Sequence, residues 1–104
     1  MENTQSTEAK VKFVKYGAEW CGPCKMMKPV IAELQNDFPT IEFQDVDVDT
    51  NEELALKNSV RGIPAYFITI DDIVVWKDVG AKSKSQLSLK LTEALTQAVL
   101  KNIQ

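Results

Sequence analysis

The chain has 104 residues, 44% of them hydrophobic, two cysteines, no histidine and a formal net charge of −3. That length holds one domain around one core. The apolar fraction can bury that core without disulfide staples, and two cysteines are too few for a stapled secreted scaffold. Acids and bases are interspersed with no basic stripe, which argues against nucleic acid as the main partner. No apolar run reaches a membrane-spanning length, so no membrane partner is expected. Met1 to Lys10 lack the apolar region and cleavage pattern of a signal peptide, and a reducing, cytoplasmic setting is therefore expected.

Residues 1–10 are polar and read as a tail, with the domain over residues 11–104. Val11 to Tyr16 reads as a strand, because Val11, Phe13 and Val14 are apolar and β-favourable. Gly17 and Ala18 open a loop. A helix is predicted from Cys21 to about Asp37, where Met26, Met27, Val30, Ile31 and Leu34 recur at helical spacing as its expected buried face. Pro29 lies inside that pattern and is expected to bend the helix, and Pro39 follows its end. Ile41 to Val48 reads as the next strand. Thr50-Asn51-Glu52-Glu53 has the form of a capping box and opens a short helix expected to pack through Leu54, Ala55 and Leu56.

Ala65 to Ile70 and Ile73 to Val79 are two further strands, parted by Asp71-Asp72. A two-residue loop makes them an antiparallel hairpin. Aspartate adopts the left-handed backbone less readily than glycine, so a longer loop stays open. Gly80 breaks the strand, and Ser83 or Ser85 caps a last helix with Leu87, Leu91, Ala94, Leu95 and Ala98 as its buried stripe. The order β-α-β-α-β-β-α predicts an α/β fold, a mixed sheet of about four strands flanked by about three helices. Strands joined through helices are expected to be parallel neighbours, and the hairpin adds an antiparallel pair. Trp76 is expected to pack on the sheet.

The only cysteines stand in Trp20-Cys21-Gly22-Pro23-Cys24. Such a pair serves as half of a zinc site or as a redox dithiol. Zinc wants four ligands, usually Cys or His, and the chain has no histidine and no third cysteine. The redox reading needs only two sulfurs close enough to bridge, one of them easily ionised. At a helix N-terminus, Cys21 meets unpaired amides and the positive end of the helix dipole, which lower a thiol pKa. Cys24 follows one turn later, shielded, as the natural resolving thiol. Pro23 costs little early in a helix, Gly22 leaves room for a partner chain, and Trp20 is expected to shield the sulfurs and offer a flat apolar contact. Asp47 and Asp49 read as strand-end and turn residues rather than metal ligands.

Several separated segments carry a resemblance: Ala18-Glu19-Trp20-Cys21-Gly22-Pro23-Cys24-Lys25, Pro29 within the helix, Asp49 after the second strand, Val60-Arg61-Gly62-Ile63-Pro64 and Val79-Gly80-Ala81. Together they resemble the thioredoxin family, from about Val11 to the C-terminus. The resemblance implies a three-layer thioredoxin-like fold and a protein-disulfide reductase acting by Cys21/Cys24 dithiol–disulfide exchange. It implies no cofactor and no metal, disulfide-containing protein substrates, a thioredoxin-reductase-like electron donor and a monomer. It also implies a cis Ile63-Pro64 bond facing the dithiol, with Gly62, Ile63, Val79, Gly80 and Ala81 completing a substrate rim. The backbone of Ile63 would pair with an extended peptide by strand addition. As simple punctuation, Pro64 would merely start a strand. An oxidase or isomerase on the same fold, or a binding module with an idle dithiol, remain as alternatives.

Two departures from the family pattern stand out. Family members carry an extra strand and helix before the strand placed at Val11, and the ten residues here are too few for both. The sheet is therefore expected to lose its outermost N-terminal strand, or to replace it with an irregular stretch, and so to expose an edge open to pairing. In addition, the position of a buried family aspartate, five residues before the motif tryptophan, holds Lys15, while the position of the lysine that pairs with it holds Asp45. Lys15 and Asp45 are thus expected as a reversed catalytic pair; otherwise Lys15 snorkels to solvent and Asp45 is a surface acid.

Overall fold

The computed structural model describes residues 9–103; the readings made on residues 1–8 lie outside them. Seven elements follow one another: β1 (Val11–Gly17), α1 (Gly22–Asp37), β2 (Glu42–Asp47), α2 (Glu52–Lys57), β3 (Ala65–Ile70), β4 (Ile73–Val79) and α3 (Lys84–Ile103). The four strands form one sheet in the order β2-β1-β3-β4. β1 and β2 are parallel, whereas β3 is antiparallel to both β1 and β4. The second helical connection therefore does not yield the parallel neighbours that the sequence reading expected: β3 passes to the far side of β1 and runs against it. β2 has no strand on its outer side among the described residues.

Alternation along the strands sends side chains to two faces. Val11 and Phe13 of β1 join Tyr66, Ile68, Met27 and Leu34 of α1, and Leu87, Leu91, Ala94 and Ala98 of α3 in the main core. Tyr16, Val46 and Ala65 look the other way and pack with Ala55 of α2. Phe13 lies within 5.9 Å of the Tyr66 ring, which in turn stacks on Trp76 at 6.5 Å between centroids.

The helices depart from their sequence reading in particular places. Cys24, Met27 and Leu34 form the buried line of α1, while Met26 is 71% exposed. One residue is about 100° around a helix, so the neighbour of a fully buried position turns outward. The short α2 buries Ala55 alone and leaves Leu54 and Leu56 outside. No capping box forms there. Asn51 is the N-cap without a side-chain bond to the helix, because the Asp47 carbonyl accepts from Asn51 Nδ2 and Thr50 Oγ1 instead. At α3, Ser83 makes the reciprocal pair: its Oγ accepts from Gln86 N and its N–H donates to Gln86 Oε1.

The hairpin turn has two residues, Asp71 and Asp72, both in the left-handed region with φ of 51° and 69°. The Asp71 carboxylate accepts from Lys10 N at 2.9 Å and from Lys101 Nζ at 2.8 Å. These two bonds, the backbone one foremost, hold its carboxyl below the usual carboxylate range.

Candidate active site

The carboxyl end of β1 delivers the chain into the dithiol. Gly17 closes the strand, the Cys21 N–H donates to Ala18 O at 3.2 Å, and Cys21 becomes the N-cap of α1 in extended conformation. The helix begins one residue later than the sequence reading placed it. Pro23 sits in its first turn, where a missing amide leaves nothing unpaired. Cys21 and Cys24 are joined as a disulfide with Cα atoms 5.2 Å apart. The Cys24 N–H donates to Cys21 Sγ at 3.2 Å, so a free amide of the helix start points at that sulfur. Cys21 is 7% exposed and Cys24 1%.

The second segment of the site comes from the loop before β3. The Ile63-Pro64 peptide is cis, as the resemblance implies, and Cys21 Sγ lies 4.0 Å from the Ile63 carbonyl oxygen. Pro64 is buried, and its carbonyl accepts from Gly80 N at 2.8 Å. That bond ties the third segment, Val79-Gly80-Ala81, to the second. Gly80 has φ of 100°, a backbone that side-chain-bearing residues rarely adopt. Val79 is 51% exposed, and a Cβ at Gly62 would meet its Cγ1 at 3.1 Å. The third residue set named from the sequence thus borders the second, and Cys21 borders the second at Ile63.

Trp20 is 70% exposed and is anchored by its indole N–H, which donates to Asp49 Oδ2 at 2.8 Å. It is an outward-facing apolar plate with a fixed edge. Gly22 and Pro23 are exposed, and a Cβ at Gly22 would meet nothing within 4 Å.

Below the sulfurs, β1 and β2 place Lys15 directly opposite Asp45. Lys15 is buried, whereas the Asp45 side chain is 60% exposed; Nζ and Oδ1 are 3.7 Å apart. Of the two, only the ammonium is enclosed, because β2 has no outer neighbour among the described residues and its side chains at 42, 44 and 45 face water. Lys15 Nζ also donates to Cys24 O at 3.5 Å. A cavity of about 120 Å³ opens here, lined by Lys15, Gly17, Cys24, Lys28, Asp45 and Asp47. The sequence reading missed Gly17 as part of the site. A Cβ at that position would meet Cys24 Sγ at 3.2 Å, and the only signal was a glycine ending an apolar strand just before the motif.

Comparison with known proteins agrees with this geometry. The thioredoxin family model matches residues 2–93. Over 77 residues the chain is 43% identical to a thioredoxin of Pseudomonas aeruginosa, covering 73% of this chain and 71% of that protein. It is 40% identical over 90 residues to a thioredoxin of Mycolicibacterium smegmatis, covering 84% and 80%. The crystal structure of Fasciola hepatica thioredoxin superimposes with a TM-score of 0.73 at 34% identity, covering 91% of this chain and 86% of that one. A cysteine pair bridged at a helix start, beside a cis-proline loop, is the machinery of disulfide exchange. The chain belongs to the thioredoxin family, and it is a thiol–disulfide oxidoreductase that reduces protein disulfides through Cys21 and Cys24.

Proposed function

We propose that Cys21 is the attacking thiol and Cys24 the resolving one. The observation that carries this is the N-cap position of Cys21, whose sulfur accepts the Cys24 amide at 3.2 Å. The same amide and the helix dipole favour a thiolate at Cys21 in the reduced protein, while the enclosed Cys24 has no route to an outside disulfide. In the first step the Cys21 thiolate attacks one sulfur of the target disulfide. A mixed disulfide forms, and the other target sulfur leaves as thiolate. Cys24 then attacks Cys21 Sγ, restores the internal disulfide and releases the second target thiolate. Two electrons pass to the target, and the two target thiolates take up two protons.

The target segment lies in extended form against the backbone of Ile63, with Gly62, Pro64, Val79, Gly80 and Ala81 as its rim and Trp20, Gly22 and Pro23 on the other side. Strand addition suits such a groove. Lys15 and Asp45 manage charge beneath Cys24. A thioredoxin-reductase-like electron donor supplies the electrons, and the domain at residues 11–104 works in the cytoplasm as a monomer. No helix among the described residues is long and apolar enough to cross a membrane.

The test is a trapping experiment. Cys24→Ser should accumulate a mixed disulfide on Cys21 with a disulfide-bonded protein substrate, and Cys21→Ser should accumulate none. A wild-type reaction whose adduct maps to Cys24 by mass spectrometry would refute the assignment.

A further inference from the structure

Lys15 is the one charged side chain buried among the described residues, at 2% exposure. An enclosed ammonium has three donors to satisfy and a desolvation cost to offset. Here it has one backbone acceptor, Cys24 O, at 3.5 Å, and one carboxylate, Asp45, at 3.7 Å with most of its side chain in water. Its positive charge is therefore only partly compensated inside the protein. The same side chain reaches the resolving cysteine. A Cβ at Gly17 would meet Lys15 Cε at 3.6 Å and Cys24 Sγ at 3.2 Å, so ammonium stem and sulfur converge on one point beside that glycine.

Other charged groups line the cavity beneath Cys24: Glu19 from the loop, Lys28 from α1, and Asp45 and Asp47 from β2. Glu19, Lys28 and Asp45 are exposed and Asp47 is half-buried, so water and salt screen them. From β3, Tyr66 pairs opposite Lys15; burial pushes its phenol up to about 12, so it stays uncharged. Lys15 is the one member of the set that is itself charged and enclosed beside the sulfur, so solvent screens its field least.

We infer that Lys15 is a positioning residue that sets the redox poise of the dithiol: its buried ammonium stabilises a Cys24 thiolate in the reduced protein and leaves the uncharged disulfide unaffected. The inference rests on the proposed roles of Cys21 and Cys24. In the reduction half-reaction the Cys21–Cys24 bond breaks, two electrons enter, and protons come from solvent to those sulfurs that do not remain thiolate. A cation that favours thiolate stabilises the reduced form, raises the reduction potential and lowers the number of protons taken up. Asp45 opposes this field in part, so the two residues act with opposite sign on one equilibrium. A merely structural ion pair would not produce opposite shifts.

The experiment equilibrates the full chain with dithiothreitol or glutathione couples from ~pH 6 to ~pH 9, the usual range of thiol titration, and reads the dithiol fraction by alkylation and mass spectrometry. Lys15→Met should shift the equilibrium about tenfold toward the disulfide, a potential about 30 mV more negative. Its pH dependence should steepen toward two protons per two electrons. Asp45→Asn, at an exposed position, should shift the equilibrium roughly threefold the other way. A Lys15→Met equilibrium within twofold of wild type, or displaced toward the dithiol, overturns the inference. Should that variant fail to fold, Asp45→Asn decides alone: a shift toward the dithiol supports the inference, and no shift or the reverse overturns it. Failure of the Cys24→Ser trap would sink the assignment of roles instead, independently of either shift.

Discussion

Gly17→Ala is the smallest change that reaches the redox centre from behind. The new methyl would stand 3.2 Å from Cys24 Sγ, 3.3 Å from Cys24 Cβ and 3.6 Å from Lys15 Cε. Carbon contacts are comfortable at about 3.5 to 4.0 Å, so the cysteine must retreat by several tenths of an ångström. In the oxidised protein Cys24 is tied twice, by its place in α1 and by the bond to Cys21. The strand cannot yield instead, because Gly17 O accepts from Val48 N at 2.9 Å. Overpacking of this kind costs about 1–3 kcal/mol. After reduction the sulfur is free to rotate, although the Cβ contact persists. Taking about 2 kcal/mol for the oxidised form and about 1 for the reduced form, the difference of about 1 kcal/mol favours the dithiol by roughly fivefold. Urea unfolding of both redox forms, analysed with a common slope, measures the two costs separately. Equal destabilisation of the two forms, or none in either, would show that Cys24 is not the group that must give way.

Two further outcomes follow from the structure. Ser83→Ala removes one half of the reciprocal cap with Gln86 and should lower stability by about 1 kcal/mol, with disulfide turnover intact; a urea midpoint unchanged from wild type would refute the cap's contribution. Tyr66 ionises near 12 in the folded chain because burial opposes its charged form and Asp78 adds repulsion, whereas unfolded tyrosine loses its proton near 10. Between those values the unfolded state binds fewer protons, so stability should fall with rising pH by up to about 1.4 kcal/mol per unit. Tyr66→Phe should remove that part of the alkaline slope, and a slope identical to wild type would contradict it.

Much of the molecule was legible from residue order because local and global signals agree. The stripe Leu87, Leu91, Ala94 and Ala98 is the buried face of α3, and the strands around Asp71-Asp72 have the bounds read from the sequence. The motif cysteines, the Ile63-Pro64 loop and the Val79 segment lie far apart in the chain and come together only through the sheet order. No periodicity reveals that; the resemblance did. What failed were readings that depend on neighbours. Met26 fits the helical pattern but falls beside the buried line. Leu54 and Leu56 belong to a helix too short to bury more than Ala55. Thr50 and Asn51 find a strand-end carbonyl before they find the helix. The reversal of Lys15 and Asp45 was visible as letters. Their unequal burial was not, because it follows from β2 having no outer neighbour among the described residues.

Asp71 receives one bond from Lys10, just before β1, and another from Lys101 near the end of α3. The two outermost parts of the described chain are thereby clasped at a single point. β1 has seven residues between that point and the dithiol, so the clasp lies ~20 Å from the reactive sulfurs at strand spacing. The molecule has a handle and a working end. A protein fused at either side of the clasp, or a bead coupled there, would leave the groove pointing outward and unobstructed. A short bridging peptide between these two parts, with new ends opened elsewhere on the surface, would give a permuted domain whose working end never meets the splice.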